Sequence, residues 1–218
     1  MIKKLQALKA KKGFTLVELV VVIAIIGVLA AILVPTMMGV VQDSRVTSAN
    51  SAAQQIKDRT TEFLTKMDAA KQSLTNTELV TLELQVGTDS DTGTWKLTST
   101  DTIGWLDGSD ADHFGLGDDH AINSSNPGNK DSELVAYLAD TLSDMKKAYG
   151  KIYIEAGKVI GVFLTEGAVG APSIGDGKEL PTADDFKAGK CAFGGSKAGV
   201  YGNTVVGTAP TLALNTES

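Results

Sequence analysis

One carboxylate, Glu18, interrupts the longest apolar stretch of the 218-residue chain, LVELVVVIAIIGVLAAILV at residues 16–34. A carboxylate in such a run costs a few kcal/mol on insertion scales (about 2.5–3.5 for Asp), so it marks a functional residue that needs a partner. Cleavage between Gly13 and Phe14 would supply one. The new α-amino group would lie about one helical turn from Glu18, or face the Glu18 of a neighbouring chain. The other chemistry-bearing residues are few. The two histidines, His113 and His120, are seven apart, not the spacing of a helical zinc pair. Cys191 is the lone cysteine, in KCAFGG with no base nearby, and reads as a small half-buried side chain. No GxSxG or Cys–His signature is present, so catalysis is not expected. DSDTG and DGSDADH bunch carboxylates as calcium loops do, with Asp89, Asp91, Asp107, Asp110 and Asp112 as candidate ligands. Neither has the EF-hand spacing, and the adopted reading is a solvated acidic surface with no metal or other cofactor.

The elements that must position these residues divide the chain by charge. Residues 1–13 hold five lysines and no acid; the remaining residues hold 15 basic and 26 acidic side chains. An acidic body of that kind argues against nucleic acid, whose phosphates require a basic surface. About 20 apolar residues span a bilayer as a helix, so residues 14–42 read as a membrane span. A secretory signal peptide has a shorter apolar region, of about 7–15 residues. Lys3, Lys4, Lys9, Lys11 and Lys12 precede the span, which places the amino terminus in the cytoplasm and residues 43–218 outside.

The stretch KKGFTLVELVVVIAIIGVLAAILVP, residues 11–35, resembles the processing and assembly segment of type IV pilins and pseudopilins. The resemblance implies a leader, residues 1–13, removed after Gly13 by a prepilin peptidase that also methylates the amino group of Phe14. It implies that Glu18 pairs with the amino terminus of a neighbouring subunit during assembly. It further implies that Pro35 breaks or kinks the helix, consistent with the hydrogen bond a proline removes. The partners would be other copies of the chain in a helical filament, the peptidase, the assembly machinery, and the membrane before assembly. The expected function is a structural subunit of a surface pilus for adhesion, motility or DNA uptake. The alternatives are a pseudopilin of a type II secretion or competence machine, and a single-pass membrane protein with an extracellular binding head.

The head is expected to be α+β: a spine helix packed on a small antiparallel sheet. Val46, Ala49, Ala53, Ile56, Thr60, Phe63, Met67, Ala70 and Leu74 follow one another by threes and fours, one face of a helix with only Thr60 off pattern. The spacing predicts a single helix over 14–74, about 90 Å long; a parallel coiled coil is the rival use of the stripe. Strands are predicted at 79–86 and 95–98. Residues 87–130 form an acidic, loop-rich insertion too long for an ordinary connection, in which 29 of 44 residues are Gly, Ser, Thr, Asp or Asn. Trp95 and Trp105 fall in or beside it and are expected to be buried as its small core. A second helix is predicted over 131–149, stopped by Gly150, then a hairpin of strands 152–155 and 158–164 around Ala156–Gly157. A last strand is expected at 201–206. Residues 165–200 and the tail show no strong pattern.

Overall fold

The computed structural model describes residues 14–87, 94–106, 113–123, 125–130, 132–167, 170–172, 174, 179–193, 198–201 and 204–215. It divides into two compact units, residues 1–43 and 44–218. Helix α1, Leu16–Ala69, contributes to both. In the first unit its side chains are exposed from Phe14 to Val41.

The second unit has the α+β architecture. After α1 come β1 (Leu79–Val86), β2 (Trp95–Thr98), α2 (Leu134–Thr141), β3 (Ala148–Glu155) and β4 (Lys158–Glu166). The chain continues through α3 (Ala183–Ala188), β5 (Lys190–Cys191), β6 (Val200–Tyr201), β7 (Thr204–Ala209) and β8 (Ala213–Leu214). Six strands form an antiparallel sheet in the order β2-β1-β3-β4-β7-β6, while β5 and β8 make a small parallel pair. The spine stripe is buried as its period requires. Ala49, Ala53, Ile56, Thr60, Phe63 and Met67 are all under 7% exposed, and the last four apolar members join Val80, Leu82, Leu84, Ile152, Val162 and Leu164 of the sheet in one core. The sheet thus takes up the stripe that a coiled coil would otherwise have used. Thr60, the off-pattern member, is accommodated because its hydroxyl donates to the Ile56 carbonyl at 2.8 Å.

Both tryptophans are buried in this core, with Trp105 edge-on to His113 and Phe114. Strand β2 and the described part of the 87–130 segment are tied together by Trp95–Ile122 and Leu97–Leu116 bridges. The hairpin β3–β4 is central to the sheet and has a two-residue turn: Ala156 and Gly157 take left-handed φ values of 49° and 73°.

Four expectations need correction. Helix α1 ends at Ala69, not residue 74, because Lys71 adopts φ 61° and the chain turns; Leu74 instead bridges to Trp105. The second helix covers only Leu134–Thr141. Tyr149 and Gly150 belong to β3, where pairing with β1 on one side and β4 on the other overrides the helical spacing that 142, 145 and 149 suggested. Gly150 is not a helix stop; a Cβ there would lie 2.3 Å from the Phe163 carbonyl of the neighbouring strand. The strand expected at 201–206 is two strands, β6 and β7, paired with each other.

The weakly patterned carboxyl-terminal third covers the second face of the sheet. Tyr149, Tyr153 and Phe163 point away from α1 into a separate core with Phe186, Cys191, Phe193, Tyr201 and Leu212. Helix α3 starts with a full capping box, Thr182 and Asp185 each satisfying the other's backbone N–H. Gly161 lets Phe186 lie directly on β4, since a Cβ there would be 2.1 Å from the ring.

Candidate processing and assembly site

Gly13 and the leader lie outside the described residues, as do Asp89, Asp91, Asp107, Asp110 and Asp112. The described site therefore begins at Phe14, whose side chain is 81% exposed. Glu18 lies in the first turn of α1 and is engaged by its own chain. The backbone N–H of Thr15 donates to Glu18 Oε2 at 2.9 Å, and the Thr15 hydroxyl donates to the same oxygen at 2.8 Å. The Glu18 N–H donates back to Thr15 Oγ1 at 3.2 Å. This reciprocal arrangement is a capping box, which satisfies donors that a helix start leaves orphaned. All of its atoms belong to Thr15 and Glu18. Thr15 is the residue that sequence reasoning missed; the signal was T-L-V-E directly before an apolar run.

Glycines and a proline punctuate the apolar segment. Pro35 lies inside α1, which continues past it. The Thr36 hydroxyl donates to the Leu33 carbonyl at 2.9 Å, within the turn that Pro35 weakens. Gly27 and Gly39 have open space where a Cβ would be.

Several titratable groups of the second unit tie its elements together. Glu62 of α1 accepts from Arg59 at 2.8 Å and lies 3.4 Å from Lys66, and both cations lie over the Tyr137 ring of α2. Hydrogen bonding to Tyr137, then to Arg59, holds the Glu62 carboxyl below its ordinary range. His120 Nδ1 sits 3.3 Å from Glu133, whereas His113 is buried against Trp105; the two histidines serve separate contacts. Cys191 is buried, and burial pushes its thiol pKa up, opposite to what a nucleophile needs. Its sulfur lies 3.7 Å from the Tyr201 hydroxyl, which donates to the Glu179 carbonyl at 2.7 Å. A cleft of about 660 Å³ between the carboxyl-terminal end of α1 and the hairpin tip is lined by Lys57, Asp58, Asp68 and Lys158, with no histidine or cysteine in its lining. Among the described residues, no group of three or more His, Cys, Asp or Glu side chains is arranged to hold a metal ion.

Comparison with known proteins divides the chain at nearly the same place as its composition. Residues 8–34 match the family model described as the prokaryotic N-terminal methylation motif. Residues 46–213 match the family described as domain of unknown function DUF5021. Two fimbrial proteins of Pseudomonas aeruginosa are each 48% identical over 50 residues, which is 23% of this chain and 32% of theirs. The chain is therefore matched over about a third of the length of these curated relatives. No solved structure matches it. By residues 46–213 the chain belongs to the DUF5021 family, and its amino-terminal segment, with the methylation motif and the fimbrial likeness, makes it a type IV pilin-like subunit.

Proposed function

We propose that this chain is the precursor of a structural subunit of a type IV pilus. The leader, residues 1–13, is cut after Gly13, and the new amino group of Phe14 is methylated. The chain waits as a single membrane span with its amino terminus in the cytoplasm. It then polymerises through the apolar part of α1, with Glu18 pairing with the amino terminus of a neighbouring copy. The observation that carries this reading is the combination of motif and exposure. The segment matching the methylation motif leads into a helix whose apolar side chains from Leu16 to Val41 are unpartnered in the single chain. A bilayer, and then the apolar helices of other copies, would keep that surface from water.

The test joins a mass measurement to a variant. Surface filaments should contain a chain beginning at N-methylated Phe14, and a chain beginning at Met1 would sink the proposal. Glu18→Ala should enter the membrane and be cut, since only an unfavourable membrane charge is lost. It should then yield few filaments. A pseudopilin would show the same processing without abundant sheared surface fibres, so fibre yield decides between the two.

A further inference from the structure

The six-stranded sheet ends on β7 and the two-residue β6, an edge that offers N–H groups to any strand able to approach. Strand β6 pairs with Thr204 and Val205 of β7. Beyond it, the N–H groups of Val206 and Thr208 share the same outward parity. Val206 N–H is taken by the Gly199 carbonyl at 2.9 Å. Thr208 N–H is taken by the side-chain oxygen of Asn50, on α1, at 2.8 Å. Further along, Pro210 has no N–H to offer, and Leu212 N–H donates to Thr208 Oγ1 at 3.0 Å. The approach of α1 to this edge depends on Gly207: a Cβ there would lie 2.1 Å from the carbonyl carbon and oxygen of Ala49. A helix side chain thus occupies the position of a strand carbonyl.

We infer that Asn50 is the closing rung of the sheet: its side-chain oxygen occupies the last outward donor of β7 and bars a strand of a second copy from adding to the head. Thr208 is 2% exposed, so removing the acceptor leaves a buried donor that gains by finding another carbonyl. The inference does not depend on the filament reading, because it concerns contacts between heads alone.

The experiment uses the full chain in detergent micelles as wild type, Asn50→Ala and Asn50→Asp, the last retaining an acceptor oxygen. Amide exchange is read at Thr208 and Val206, and association by sedimentation over a hundredfold range of concentration. In Asn50→Ala, Thr208 should exchange about tenfold faster while dilute. Complexes should then form on concentration and protect Thr208 again. Asn50→Asp should behave as wild type. Unchanged Thr208 exchange in Asn50→Ala would overturn the inference, as would fast exchange without association beyond that of wild type, or Asn50→Asp behaving as Asn50→Ala. If Asn50→Ala does not fold, wild type and Asn50→Asp decide. Thr208 must then exchange no faster than Val206 in both, and faster exchange in either overturns the inference.

Discussion

Gly207→Ala probes the tightest point of the head. The added Cβ would stand 2.1 Å from Ala49 C and O and 2.6 Å from Asn50 N. Carbon atoms rest at about 3.5–4.0 Å, so roughly 1.5 Å of separation must be found. Both neighbours are backbone, so no flexible side-chain end can swing aside. The helix must lift from the sheet just where Ala49 and Ala53, each 0% exposed, let it lie closest. Overpacking of this kind costs about 1–3 kcal/mol. Lifting α1 also stretches the Asn50–Thr208 bond, and an unsatisfied buried donor costs about 1–3 kcal/mol more. The two effects share one displacement and do not add in full, so about 3–4 kcal/mol is expected. In a chain of this size that corresponds to a fall in Tm of roughly 6–16 °C. Thermal unfolding of the full chain in detergent, followed by near-ultraviolet circular dichroism, measures it. Gly170→Ala is the control, since that glycine has open space around it and no left-handed backbone; it should stay within about 0.5 kcal/mol of wild type. A Gly207→Ala chain melting within a degree or two of wild type would refute the direct helix-on-strand contact.

Three further outcomes are expected. Tyr153→Phe should flatten the alkaline loss of stability. Burial holds the Tyr153 pKa well above its ordinary value, so its contribution is complete below about pH 10 and is lost at about 1.4 kcal/mol per pH unit as pH rises toward the folded pKa; equal alkaline slopes for the two proteins would refute this. Thr182→Ala should cost about 1 kcal/mol by removing the cap of α3, with Thr182→Ser restoring most of it in denaturant titrations. Cys191 should react with a thiol reagent only as fast as the surrounding layer opens, so the rate should track denaturant concentration; rapid labelling of the native chain would contradict its burial.

How much of this was legible in the sequence depended on period. The spine stripe could be read because its apolar members from 53 to 67, three to seven residues apart, face the same core, and the hairpin because its strands flank Ala156–Gly157. The second helix was misjudged because Leu142, Met145 and Tyr149 keep a helical interval while the chain has already turned toward β3, and only pairing with β1 and β4 decides the matter. The outer layer was illegible for another reason. Of its core residues, Phe186, Cys191 and Tyr201 come from elements of two to six residues, too short to show a period, and Phe193 and Leu212 lie outside any helix or strand. One signal there could have been found, Thr182 and Asp185 flanking the start of α3. At the amino terminus Glu18 stood out by its charge, whereas Thr15, its intrachain partner, was passed over although T-L-V-E before an apolar run has the spacing of a capping box.

The distribution of exposed apolar side chains bears on assembly. Among the described residues, the large exposed hydrophobic side chains are those from Phe14 to Val41, followed only by Leu79 and Leu106. The second unit meets its own needs: α1 and α2 cover one face of the sheet, the carboxyl-terminal layer covers the other, and Asn50 takes the last outward N–H of β7. Two isolated leucines do not make a patch large enough to drive association. On the proposed reading, the apolar surface that a membrane or other copies would cover lies in the segment that matches the methylation motif and its continuation to Val41. On the pilus reading proposed above, a head with both faces and this edge already satisfied could vary its surface without changing how copies join through the apolar segment.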